Sequence, residues 1–136
     1  MSLKGSAANL GVNKTTEAVI GAEIEVHRHL GQGLLESAYE ECLCQELKLR
    51  NIPFKRQVPL PINYKGIQLD CSYRIDLLVN DELVVELKAI DQLLPIHDAQ
   101  VTTYMRLGGW KVGLLLNFGL PTLKQGIKCI VLGLKE

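Results

Sequence analysis

The stretch Tyr73-Arg74-Ile75-Asp76-Leu77-Leu78-Val79-Asn80-Asp81-Glu82-Leu83-Val84-Val85-Glu86-Leu87-Lys88 decides the fold. In its first half the odd positions Ile75, Leu77 and Val79 are apolar, while the even ones include Arg74 and Asp76. The alternation reaches back through Tyr73, Cys71 and Leu69 to Ile67, which predicts a strand over 67–79. Asn80-Asp81 marks a turn, and a second strand is expected from Leu83 to Ile90. A two-residue loop would pair Val79 with Glu82 and put Glu82 and Glu86 on the apolar face. A three-residue loop, Asn80-Asp81-Glu82, instead pairs Val79 with Leu83, Leu77 with Val85 and Ile75 with Leu87. A one-residue slip exchanges the two faces of a strand, so the apolar pattern selects the second register. The opposite face then carries Arg74 across from Lys88, Asp76 across from Glu86 and Leu78 across from Val84.

That register sets two carboxylates about 5 Å apart at Cβ, with Lys88 two residues beyond Glu86 on the same face. Adjacent carboxylates raise each other's pKa unless a cation lies between them. Lys88 offsets part of the charge. A divalent metal would offset the rest, using hard oxygen ligands from Asp76, Glu86 and the backbone carbonyl of Leu87. The alternative is a cross-strand ion cluster in which Lys88 and Arg74 simply neutralise the two acids, a costly use of four ionisable groups on interior strands.

Outward from this hairpin the chain alternates helix and strand signals. Thr15 or Thr16 is a plausible N-cap for a helix to about Leu30, with Val19, Ala22, Val26 and Leu30 as its apolar stripe. Gly31-Gln32-Gly33 breaks it, and a second helix is expected from Leu34 to about Arg50, ended by Asn51 and Pro53. Arg56–Tyr64 alternates as a strand in which Pro59 and Pro61 cannot donate ladder bonds, which places it at a sheet edge. Pro95 suits the first position of a helix that Gly108-Gly109 terminates. Lys111–Phe118 is continuously apolar in its middle, as a buried central strand is, and Ile127–Leu134 forms a last strand. The expected fold class is α/β (α+β): a mixed sheet flanked by helices, in the order α-β-β-β-α-β-β.

At 136 residues the chain is expected to form one domain over 15–136. Met1–Lys14 is small, polar and aperiodic and is expected to be a flexible leader without a secretory signal. No apolar run approaches the roughly 18 residues that span a bilayer, so no membrane partner is expected. None of the four cysteines forms a CxxC pair. Cys42 and Cys44 are two apart on a helix and point to nearly opposite sides, so reduced thiols in a cytoplasmic protein are expected. A net charge of zero argues against strong non-specific DNA binding. Acids dominate Thr15–Leu47 and Ile75–Asp98, and bases dominate Lys48–Arg74 and Ala99–Glu136. Such blocks fit a basic rim around an acidic pocket, and equally ordinary solvated faces.

Asp76 followed by Glu86-Leu87-Lys88 resembles the D…(D/E)xK signature of the PD-(D/E)XK nuclease superfamily, whose core has the same order of elements. Gly33-Leu34-Leu35-Glu36-Ser37-Ala38-Tyr39 is similar to the motif that names its GxxExxY family. Val26-His27-Arg28, Tyr73 to Val79, Val85 to Ala89 and Gly113 to Phe118 also resemble that family, over roughly Thr16 to Leu132. The resemblance implies a restriction-endonuclease-like core with Asp76 and Glu86 as ligands of Mg2+ (or Mn2+). It implies that Lys88 orients the attacking water or stabilises charge on the phosphate. It also implies that Glu36 adds a helical acid to the site and that Gln100, four residues before Tyr104 on one helix face, lies beside it. Each has a structural alternative. Glu36, at about the third helical position, suits the backbone N–H groups there. Tyr39 suits the core, and Gln100 with Tyr104 a polar helix stripe. His27 and His97 are expected to be structural, and Arg28 a surface charge.

The function implied is a metal-dependent nuclease hydrolysing DNA phosphodiester bonds, with nucleic acid as partner and a homodimer compatible with the small size. The alternative is a catalytically silent nuclease-fold scaffold that binds nucleic acid or a protein. Hydrolysis of another phosphate ester has no positive support in the sequence.

Overall fold

Val79 pairs with Leu83, Leu78 with Val84 and Leu77 with Val85 in the computed structural model, the register that the apolar pattern selects. Asn80 and Asp81 both take left-handed φ values, 54° and 56°, which Asn and Asp tolerate better than other non-glycine residues. The Glu82 N–H closes the turn on the Val79 carbonyl at 3.0 Å.

The structure describes residues 7–71 and 73–132, with side chains from residue 14 onward. Helix α1 (Ala7–Leu30) and helix α2 (Glu36–Leu49) precede strands β1 (Phe54–Pro59), β2 (Ile62–Tyr64), β3 (Ile67–Leu69), β4 (Arg74–Val79) and β5 (Leu83–Lys88). Helix α3 (Pro95–Gly108) then leads to β6 (Val112–Asn117), a 3₁₀ turn (Leu123–Gly126) and β7 (Ile127–Val131). The main sheet has the order β1-β4-β5-β6-β7. Only β5 and β6 run parallel, joined by α3 as the crossover, and the other pairs are antiparallel. This is the mixed sheet expected of a restriction-endonuclease-like core.

Two apolar clusters hold helices on the sheet's two faces. Val19, Ala22 and Val26 of α1 and Tyr39, Leu43 and Leu47 of α2 pack on Leu77, Leu83, Val85, Leu114 and Phe118. Val101, Tyr104 and Met105 of α3 pack on Ile75, Leu78, Val84 and Leu115. Gly113 lets α3 approach closely, because a Cβ there would lie 2.7 Å from the Met105 sulfur. Pro95 does open α3, and Gly109 closes it with φ 83°.

Several boundaries differ from expectation. Residues 7–14, expected in the leader, are the first turns of α1; no proline interrupts the run to Leu30. Residues 1–6 lie outside the described part. Thr15 does not cap a helix start; its hydroxyl donates to Glu82 at 2.9 Å and accepts from Asn80 at 3.0 Å, tying α1 to the β4–β5 turn. The strand expected over Arg56–Tyr64 splits at Leu60-Pro61, and the one expected over Ile67–Val79 splits between Leu69 and Arg74. The pieces β2 and β3 form a separate hairpin that pairs with neither edge of the main sheet. Alternation persists through both breaks, so it could not reveal where the ladder changes partner. β7 ends at Val131, and the expected continuation beyond residue 132 lies outside the described residues.

Ile75 is the instructive exception. It belongs to the α3-side cluster with Leu78, not to the α1–α2 side with Leu77 and Val79. The face therefore inverts at Asp76. β1 inverts at the neighbouring position: Phe54 packs toward α1–α2, Val58 toward α3. Gln57 between them has φ 49°.

Candidate active site

At Asp76 the ladder between β4 and β5 gives way to a different arrangement. The Asp76 N–H donates to Glu86 Oε2 at 3.0 Å, and the Leu87 N–H donates to Asp76 Oδ2 at 2.9 Å. Each carboxylate thus stands in for a backbone carbonyl of its own strand and holds the other strand's amide. The two acids sit in the split between strands and face one another, as the register requires. The expected pairing of Ile75 with Leu87 is not part of the observed ladder, which stops at Leu77 and Val85. The inserted carboxylates take its place.

Glu86 is only 4 % exposed. Burial, and next the charge of Asp76, push its carboxyl up to about 9. The Asp76 amide and Lys88 oppose the shift without reversing it. Among the described residues neither Lys88 nor Arg74 forms an ion pair with either acid. Arg74 lies at the start of β4 opposite Pro59, exposed. The self-neutralising cluster is therefore not what forms, and the lysine beside the acids is left without a direct carboxylate partner.

Glu36 is the first residue of α2, behind Leu35 as N-cap, two positions earlier in the helix than expected. The loop that begins at Gly31 extends further, so Glu36 is free to face the sheet. Its carboxyl is raised by partial burial, then by Asp76, with Lys88 opposing and Glu40 adding. Glu36 is exposed and makes no direct contact with the acid pair among the described hydrogen bonds and ion pairs. Gln100 donates to the Tyr104 hydroxyl at 3.1 Å. Tyr104, 7 % exposed on α3, has its phenol raised by burial first; Gln100 lowers it, and Glu86, Tyr73 and Asp76 raise it further. Tyr104 shares a buried cluster with Ile75, which precedes Asp76 on β4, and Val84, two residues before Glu86 on β5, and Gln100 holds its hydroxyl.

The other candidates serve the framework. Tyr39 is fully buried and stacks on Phe118, with ring centres 4.4 Å apart. Its hydroxyl donates to the Gly31 carbonyl at 2.6 Å and accepts the Leu34 N–H at 3.2 Å, which pins the α1–α2 loop. His27 donates to the Leu120 carbonyl, and His97 accepts the Leu94 N–H at the start of α3. Arg28 pairs with Glu25 at the surface.

Four residues that support the site, Glu40, Arg56, Gln57 and Asn117, were not singled out from sequence. Glu40, 7 % exposed, accepts from Arg56 Nε and Nη2 at 3.1 and 3.0 Å and from Gln57 Nε2 at 3.2 Å. Gln57 Nε2 also lies 3.4 Å from Asp76 Oδ1. An orienting chain thus runs Arg56–Glu40–Gln57–Asp76, of the kind that fixes ligating carboxylates. The only sequence signal for it is that Glu40 follows Glu36 by one helical turn. Asn117, fully buried, binds the Ile90 N–H and carbonyl and the Gly119 N–H, all at 3.0 Å, and locks the chain just beyond Lys88. Its signal is a single amide closing an apolar strand.

Among the described residues no three His, Cys, Asp or Glu side chains converge as a metal cluster. What converges is a pair of carboxylates, Asp76 and Glu86, with Leu87 next in the chain as the candidate carbonyl donor. That donor set fits magnesium, which takes one or two carboxylates and fills its shell with water and substrate phosphate. A cation there would also offset the cost that burial and Asp76 impose on the charged form of Glu86.

A family model described as the PD-(D/E)XK nuclease superfamily matches residues 13–130. Comparison with curated proteins and with solved structures yields no match. The matched span contains both helices before the hairpin, the opposed acids, Lys88 and the crossover helix. With most of its length matched, and with that fold, the chain belongs to the PD-(D/E)XK nuclease superfamily.

Proposed function

We propose that the protein is a Mg2+- or Mn2+-dependent nuclease that hydrolyses DNA phosphodiester bonds, and that it belongs to the GxxExxY group of the superfamily. The observation that carries this reading is that the Glu86 carboxylate takes the Asp76 N–H and the Asp76 carboxylate the Leu87 N–H, beside a Lys88 that forms no ion pair among the described residues. A structural sheet gains nothing from breaking its ladder to bury one acid facing another.

Asp76, Glu86 and the Leu87 carbonyl would hold the metal, which when bound supplies an activated water and offsets charge on the phosphate. The amides of Asp76 and Leu87 fix one oxygen of each acid, so the remaining oxygens are presented rather than free to swing. Gln57 and Glu40 hold the orientation of Asp76. Lys88 directs its ammonium at the phosphate oxygens, where charge builds as the water attacks. Glu36 borders the same space, and Gln100 keeps Tyr104 in place against it.

Neutral overall charge fits a substrate held by the site and its metal rather than by a broad basic face. Free Cys42, Cys44, Cys71 and Cys129 fit a cytoplasmic location. The outer edge of β7, which pairs only with β6, is where a homodimer would extend the sheet. No helix among the described residues is long and apolar enough to cross a membrane. The test is cleavage of linear, circular and branched DNA with magnesium or manganese. Activity that disappears in Asp76→Ala and Glu86→Ala and falls sharply in Lys88→Ala is expected. Equal activity in all four proteins would overturn the assignment.

A further inference from the structure

Between the β2–β3 hairpin and α3 lies a groove of about 300 Å3 with Ile62, Tyr73, Ile96, Gln100, Tyr104 and Leu107 in its walls. No charged residue lines it. Its inner wall is Tyr104, which shares a buried cluster with Ile75 and Val84, so the groove adjoins the strands that carry Asp76 and Glu86. Tyr73 is 43 % exposed and Ile96 65 %, so both are accessible from solvent. The rings of Tyr73 and Tyr104 lie 6.2 Å apart at 59°. Gln100 and Thr103 add hydrogen-bonding groups to the same walls.

This chemistry rejects a phosphate, which would find no cation there, and suits a flat, uncharged group with polar edges. Resting on the nuclease reading, we propose that the groove is a nucleobase subsite. It receives an unpaired base next to the scissile phosphate, stacked on Tyr73 with its edge toward Gln100 and Thr103. Continuity with the acids supplies the reason. A nucleotide whose phosphate lies on Asp76 and Glu86 has its base within reach of the groove only when that base has left a duplex stack. Removing a base from a stack is least costly where it is already unpaired. The substrate class is then DNA with a single-stranded, flapped or mismatched nucleotide at the cut. Tyr73 would set that preference, since stacking on an aromatic ring is tolerant of base identity.

The test uses the full chain and two DNAs carrying 2-aminopurine, one in a short unpaired flap and one inside a matched duplex. Binding is followed in calcium, a hard cation suited to the same carboxylates. The subsite predicts about ten-fold tighter binding of the flap DNA and a change in aminopurine emission on binding it. Tyr73→Ala should remove both and leave duplex affinity unchanged, while Tyr73→Phe keeps both. Equal affinity for the two DNAs, no binding of either, or a preference untouched by Tyr73→Ala overturns the proposal. So does a shift from dimer to monomer in Tyr73→Ala by sedimentation, which would show a second copy covering the groove. Cleavage with manganese separates the two claims. Flap and duplex cut equally, by wild type and Tyr73→Ala alike, removes the subsite and keeps the nuclease. Base-dependent binding without any cleavage removes the nuclease and keeps the subsite.

Discussion

Glu86 shows how position rather than residue type makes a functional group. A glutamate on an interior strand, 4 % exposed and facing Asp76, is held up to about 9 by burial first and then by the charge of Asp76, which the Asp76 amide and Lys88 only partly offset. The chain could have placed Lys88 in contact with it and does not. Lys88→Ala should therefore leave the melting temperature close to that of the wild type, since no ion pair is lost. Cleavage should fall roughly 10²–10³-fold, the usual effect of removing a donor to developing charge. Calorimetry beside a steady-state assay checks both halves. Glu40→Ala acts differently, because it strips a shared acceptor from Arg56 and Gln57. We expect a loss of about 1–3 kcal/mol in urea unfolding, with lower activity through the loosened Asp76. That Asp76 and Glu86 meet was legible from sequence, because the register of Val79 with Leu83 and Leu77 with Val85 brings them together just beyond the last ladder pair. The Arg56–Glu40–Gln57 chain was not. It joins a helix to a strand through contacts 16 and 17 residues apart, for which the sequence carries no local period.

Among the elements, the β4–β5 hairpin was the most legible and the β2–β3 hairpin the least. The first carries its charged residues on one face only, so slipping it would turn Glu86 into the apolar cluster under α1 and α2. The second is exposed at nearly every position, so nothing in its pattern distinguishes a sheet strand from a projecting ribbon. The inversion at Gln57 and Asp76 was hidden for a related reason. Strict alternation of Ile75, Leu77 and Val79 predicts one face, but both sides of this sheet are covered by helices, so an apolar residue is stable on either. The α1–α2 loop depends on one phenol. Tyr39→Phe keeps the stacking on Phe118 and removes both loop bonds, leaving the Leu34 N–H and Gly31 carbonyl without that partner. The expected cost is about 1–2 kcal/mol. Faster amide exchange confined to residues 31–36, with the strands unchanged, is the measurement that would show it.

For the whole molecule, the largest unexplained cost is at Glu23 on α1. It is fully buried, neither of its carboxylate oxygens has a partner among the described residues, and burial alone raises its carboxyl to about 8. The unfolded chain releases this proton near the ordinary carboxylate value of 4.5, whereas the folded chain keeps it to about 8. Between those pH values the unfolded state binds fewer protons. Stability contributed by this group therefore falls as pH rises through the window and levels off above it. Glu23→Gln should flatten that decline and be more stable than the wild type at pH 8, by a few kcal/mol at most. Urea midpoints taken at pH 5, 6, 7 and 8 for both proteins test it.

The opposed acids also bind fold and function into a single measurable property, because a cation held between them stabilises only the folded chain. Thermal unfolding of wild type, Asp76→Ala and Glu86→Ala with and without millimolar manganese tests this most directly. A clear rise in the wild-type midpoint, absent from both variants, is the predicted result. A wild-type midpoint that manganese leaves unmoved, or the same rise in all three proteins, would contradict it.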